Sequence, residues 1–108
     1  MVIIKCKQYK KSYKKNILDK HLDKEKDRIS NIENLIINSK NLQDLINSPY
    51  KNIYHIEQKR GNLKEYYTVR INSKLRLIMK PIGVYPYNIL EIEELEFIDI
   101  DTNHYGEG

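Results

Sequence analysis

Residues 67–79 read YTVRINSKLRLIM, and the fold class is decided there. Tyr67, Val69 and Ile71 are apolar at every second position, Asn72-Ser73-Lys74 interrupt, and Leu75, Leu77 and Met79 resume the alternation. A strand with one buried face alternates in this way, so two such runs around a short polar turn predict a β-hairpin. Working outward, Ile53 to Glu57 carries the same period and predicts a strand ahead of the hairpin. Pro81, Gly83 and Pro86 predict the next turn. From Ile89 to Asp101 apolar residues alternate with Glu and Asp, with a phase slip at Glu93-Glu94 that predicts a bulge.

Toward the N-terminus the period changes. Val2, Ile3 and Ile4 predict a short strand, with Cys6 packed rather than reactive. Tyr9, Tyr13 and Ile17 then recur every four residues, and Leu18, Leu22, Glu25, Ile29, Ile32 and Ile36 continue at spacings of four and three. That is one apolar stripe along one or two long helices. The alternating charges from Asp19 to Arg28 fill the solvated face. Asn41 is placed to cap a short helix ending near Ser48-Pro49. Helices first and an antiparallel sheet second predict an α+β fold, with an N-terminal strand and a helical hairpin packed on a curved, mainly antiparallel sheet.

The 108 residues fit one domain spanning 1–108. With 40% hydrophobic residues and nine Tyr, the chain is too apolar to be disordered. No apolar run exceeds four residues, which predicts no membrane span, no signal peptide and a cytoplasmic location. Lone Cys6 excludes an internal disulfide, and the wide spacing of His21, His55 and His104 names no metal. Neither a cofactor nor a metal is expected. Residues 1–80 hold all 19 Lys and Arg against 8 acids, whereas residues 81–108 hold 7 acids and no base. A basic body of this kind attracts phosphate polyanions.

Gly-rich phosphate loops, Gly-x-Ser-x-Gly elbows and His-Glu-x-x-His motifs are absent. What remains is a set of cations on or near the predicted sheet: Lys59, Arg60, Lys64, Arg70, Arg76 and Lys80, with His104-Tyr105 after the last strand. RNA cleavage without a metal needs such groups: a base for the 2′-hydroxyl proton, cations for the crowded phosphorane, and an acid for the leaving 5′-oxygen. The same residues have plainer readings. Arg76 in an apolar strand also fits a solvent-facing or cross-strand-paired side chain, Lys59-Arg60 a polar turn, and His104 an exposed chain end.

The segment from His55 to Met79, with Gly61-Asn62, Tyr67, Val69, Ile71, Asn72-Ser73 and Leu75-Arg76-Leu77-Ile78, resembles the toxins of the RelE and ParE superfamily, in particular the HigB-like plasmid killer branch. The closing run from Phe97 to His104 is similar to that branch's last strand, which alternates apolar and acidic residues into Asp-Tyr-His. Leu75 stands where the branch has an aromatic, and Asn103 where it has Tyr; Tyr105 after His104 is closer to the YoeB branch.

This resemblance implies a small domain like the microbial ribonucleases, acting as a ribosome-dependent mRNA endoribonuclease. Carried over by position, Arg76 matches the Arg that meets the scissile phosphate and His104 the terminal catalytic His. His55 with Lys59-Arg60 matches a His-x-Leu-Lys segment. His104 and Tyr105 both stand as candidate acids, and Lys59, Arg60, Lys64, Arg70 and Lys80 as RNA contacts. The implied partners are the ribosome with its mRNA and a cognate antitoxin, a small helix-turn-helix protein, and no membrane. Two other readings stay open: a ParE-like poison of DNA gyrase, and a non-catalytic RNA- or partner-binding module.

Overall fold

A computed structural model of the chain describes residues 1–102. Strand β1 (Val2–Lys5) leads into helix α1 (Lys7–Tyr13), which runs on as a π-helical segment (Lys14–Leu18); α2 (Asp23–Ile37), α3 (Leu42–Ile46) and α4 (Lys51–Tyr54) follow. Strands β2 (Glu57–Gln58), β3 (Tyr67–Arg70), β4 (Arg76–Pro81) and β5 (Glu94–Asp101) complete one five-stranded sheet of order β1-β5-β4-β3-β2. Every pairing is antiparallel except β1 with β5. The α+β expectation holds.

The hairpin forms as its alternation requires. Tyr67, Val69, Leu77 and Met79 are buried on one face, with Tyr67 opposite Met79 and Val69 opposite Leu77. Asn72 closes the turn: its Oδ1 accepts from the Lys74 and Leu75 amides, each at 2.8 Å, and its Nδ2 donates to Glu25 Oε2 at 3.0 Å. That last bond explains why a glutamate interrupts the apolar stripe of α2, since position 25 meets the hairpin turn and not the core. Arg28, one turn on, donates from Nε to Arg70 O and from Nη2 to Ile53 O, both at 2.8 Å, and covers the Tyr54 ring at 4.8 Å.

The helical layer is interrupted where the sequence pattern is continuous. The Asp19 amide reaches back five residues to Lys14 O at 2.8 Å, and His21 adopts a left-handed φ of 53° that ends this arm before α2 starts. The wider π turn lets Asn16 and Ile17 be buried side by side. Asn16 then donates to Ser12 Oγ at 3.0 Å, and Ser12 binds the backbone of Ile100 in β5 as both donor and acceptor. Cys6 caps α1, its Sγ accepting from Tyr9 N and donating to Ile98 O. Ile29, Ile32 and Ile36 of α2, with Tyr9 and Ile17, cover Leu77, Met79, Leu95, Phe97 and Ile100 of the sheet. Tyr9 meets Phe97 edge to face at 5.2 Å.

Two expectations are corrected. Residues 51–54 are helical, with α4 closed by His55 at a left-handed φ of 50°, and only Glu57–Gln58 pair as a strand. The segment follows Ser48-Pro49, where Ser48 Oγ accepts from the Tyr50 amide and starts a new helix turn. The bulge lies not at Glu93-Glu94 but farther along β5: Ile78 pairs with Asp99 and Met79 with Phe97, which leaves Ile98 as the extra residue. Burial dictates the site, because Leu95, Phe97 and Ile100 are all in the core, and the odd step from 97 to 100 needs one added residue. Asn41 caps α3 as expected, accepting from Asp44 N at 2.9 Å.

Candidate functional site

The helices cover one face of the sheet, and the residues of opposite parity line the other. Cross-strand register arranges that open face in rows. Arg70 lies opposite Arg76, which lies opposite Asp101; Thr68 opposite Ile78, opposite Asp99; and Lys80 opposite Glu96. Cations therefore stand on β3 and β4 and carboxylates on β5, so the charge split along the chain becomes a gradient across the sheet. Lys80 makes its ion pair elsewhere, at 4.0 Å from Glu65.

Arg76 is half-buried at the turn end of this face. Its Nη1 donates to Asn72 O at 2.7 Å and to Leu75 O at 3.1 Å. Two guanidinium-bearing residues directly opposite on one face repel each other. Both side chains point away from the core, and Arg76 has the Asp101 carboxylate opposite it on its other side.

Beside these rows is a pocket of about 240 Å³ lined by Lys59, Leu63, Tyr66, Thr68, Ile78, Ile98, Asp99 and Asp101. Lys59 reaches it because its amide donates to Tyr66 O at 2.9 Å, which continues the β2–β3 pairing. Arg60, its neighbour in extended backbone, lies on the other side and lines a separate cleft with Ile46, Lys51, Ile56, Glu57, Gln58 and Tyr67. Adjacent residues of an extended chain point oppositely, so the pair expected to act together is divided. Lys64 is exposed and stacks its ammonium over the Tyr85 ring at 5.2 Å. His55 is exposed at the head of β2 and does not line the pocket.

The open face thus gathers Arg70, Arg76, Lys80 and Lys59, and leaves Arg60, Lys64 and His55 around its margin. The expected His104 and Tyr105 lie outside the described residues. Tyr66, Thr68 and Asp99 line the pocket without having been expected there. Tyr66 and Thr68 share the parity of Arg70, which is the signal that finds them, whereas Asp99 joins the face through the register shift at Ile98. Among the described residues, no group of three or more His, Cys, Asp or Glu is placed to share a metal ion, and no helix is long and apolar enough to cross a membrane.

Several buried or partly buried hydroxyls hold their protons tightly. Burial raises Tyr9, with the charges of Glu33 and Tyr13 adding to it. Burial, then the charge of Glu65, pushes Tyr87 up to about 12. Tyr67, on the core face behind the open rows, is raised by burial and by Tyr85.

Two solved structures share this arrangement of strands and helices. YafQ from E. coli strain BL21(DE3) superposes with a TM-score of 0.61 at 19% identity, over 93% of this chain and 90% of that one. The chain has the YafQ fold. A histidine-to-glutamine variant of YafQ from E. coli matches with a TM-score of 0.59 at 20% identity, over the same shares. Likeness to YafQ at this identity is a likeness of fold. No family model matches the sequence, and neither does any curated protein.

Proposed function

We propose that the chain is the toxin of a type II toxin–antitoxin system: a RelE-type mRNA endoribonuclease that acts on the ribosome and cuts by 2′-hydroxyl attack without a metal. YafQ, whose fold it shares, is a RelE-family toxin. The observation that carries the reading to this chain is the opposed pair Arg70 and Arg76 on the solvent-facing side of the sheet. A phosphate between them converts a repulsive pair into a clamp. The HigB-like branch within the superfamily rests on the His55–Met79 and Phe97–His104 motifs.

The chemistry assigns each group a step. Both hydrogens of Arg76 Nη1 are committed to turn carbonyls, so its Nε and Nη2 edge is presented to the scissile phosphate, where negative charge grows in the phosphorane. The 2′-oxygen bonds to phosphorus as its proton passes to a base, the bond from phosphorus to the 5′-oxygen breaks, and an acid protonates the leaving oxygen. His104 is the leading acid–base candidate, with Tyr105 beside it in sequence and His55 near β2. The products are a 2′,3′-cyclic phosphate and a 5′-hydroxyl. Lys59, Arg60, Lys64 and Lys80 hold the RNA backbone. A cognate antitoxin, a small helix-turn-helix protein, covers the basic surface and neutralises it.

Induction of the chain alone in growing cells, with mRNA 5′-ends mapped and gyrase–DNA complexes assayed together, tests the reading. Growth arrest with new mRNA ends inside coding regions is expected. Intact mRNA with accumulated gyrase–DNA cleavage complexes selects the gyrase poison. Unaffected growth with intact mRNA leaves a non-catalytic binding module.

A further inference from the structure

We infer that the open-face pocket is a subsite for one nucleotide, and that Asp99 selects there for a base bearing an exocyclic amino group. The inference rests on the RNA-cleaving reading and specifies what that site recognises. Three chemistries follow one another across the pocket. Lys59 stands at the β2–β3 side, Tyr66, Leu63, Ile78 and Ile98 form an apolar middle, and Asp99 stands with Asp101 at the β5 side. Thr68, Ile78 and Asp99 are consecutive cross-strand partners, so the row spans two inter-strand spacings, about 10 Å. A nucleotide presents a matching order: an anionic phosphate, a flat ring, and a polar base edge. Aromatic and aliphatic walls suit the ring because stacking accepts any base, so discrimination falls to the polar end.

The bulge prepares that end. Inserting Ile98 places an apolar side chain in the pocket and returns Ile100 to the core, with Asp99 between them facing the open side. Bulges re-aim side chains in this manner. The Asp99 carboxylate is held by its Oδ1, which accepts from the Ile100 amide at 2.8 Å; among the described residues no hydrogen bond engages Oδ2. An ionised carboxylate only accepts. It therefore favours the amino edge of adenine, cytosine or guanine, whereas uracil's one edge donor, N3–H, lies between two carbonyl oxygens that repel it. A charge-assisted hydrogen bond of this type corresponds to a preference of roughly tenfold or more.

The test uses the full chain with the four nucleoside 3′-monophosphates as probes, followed by amide chemical shifts, and needs neither ribosome nor catalysis. AMP, CMP and GMP should move the Thr68, Ile78 and Asp99 amides and bind about tenfold tighter than UMP. Asp99→Asn, whose amide both donates and accepts, should bring UMP level with the others. Tyr66→Ala should weaken all four together and preserve their order. Equal binding of the four by the parent chain, shifts confined to other surfaces, or an unchanged preference in Asp99→Asn overturns the inference. Selection among nucleotides by a chain that cuts no mRNA keeps this inference and removes the proposed function; cleavage without selection does the reverse.

Discussion

In the proposed mechanism Arg76 does two jobs with one side chain. Its Nη1 ties down the hairpin turn through Asn72 and Leu75, and that anchoring fixes the orientation of the edge offered to a phosphate. Lys has one ammonium and no planar fork, so it cannot hold the turn and meet the phosphate together. Arg76→Ala and Arg76→Lys should each lower mRNA cleavage by about 10²-fold, as for loss of one transition-state donor. Cleavage rates of the purified variants read this, with denaturant midpoints as the folding control. At the opposite face, Tyr9 is 2% exposed and its hydroxyl has no hydrogen-bond partner among the described residues. Removing an unpartnered buried hydroxyl should not destabilise, so Tyr9→Phe should match or exceed the parent by up to about 1 kcal/mol in urea unfolding. The raised pKa values of Tyr9 and Tyr87 add a pH dependence. Their protonated forms are favoured in the folded state, so the stability they contribute is complete below pH 10 and lost as pH rises toward about 12 and beyond. Tyr9→Phe should flatten that alkaline decline.

At the scale of elements, what is local was legible and what depends on distant partners was not. The β3–β4 hairpin carries its alternation, turn and capping residue within 15 positions, and Asn41 announces α3 within four. Helix α4 escaped because Ser48-Pro49 both ends one helix and begins the next, while Ile53 and Ile56 are too few to separate a period of two from a turn of helix. The parallel pairing of β1 with β5 joins residues about 90 positions apart, and no local pattern encodes it. The open-face cations were recognisable as residue types, but their grouping needed the register: Lys59 joins Arg70 and Arg76 whereas Arg60 turns away. Arg28 stands in a run of alternating charges whose pattern is that of a solvated surface, yet it staples α2 to α4 and to the end of β3. Arg28→Met keeps the aliphatic stem and removes both bonds. Urea unfolding should show a loss of about 2 kcal/mol, from charge-assisted bonds to two carbonyls and the ring contact.

Across the whole molecule, the acidic last strand is inserted between β1 and the basic β4, which sets Glu96 and Asp101 opposite the cations Lys80 and Arg76, while Glu94 faces Val2 and Asp99 faces Ile78. Core residues of β5 end at Ile100. A chain cut after Asp101 should therefore remain folded and bind RNA with the same salt dependence, which reflects the number of phosphates held by Lys and Arg. It should cleave little, because His104 and Tyr105 are gone. Full activity in the shortened chain would remove both residues from the mechanism. Whether the open face cuts mRNA on the ribosome without a metal is decided by adding the purified full chain to programmed ribosomes with their Mg²⁺ retained, and to a parallel set of the free mRNA in excess EDTA. Cleavage within the ribosome-bound message, fragments ending in 2′,3′-cyclic phosphate, and loss of that cleavage in Arg76→Ala are expected. Intact message on ribosomes, or fragments ending in a 3′-hydroxyl, would rule this chemistry out.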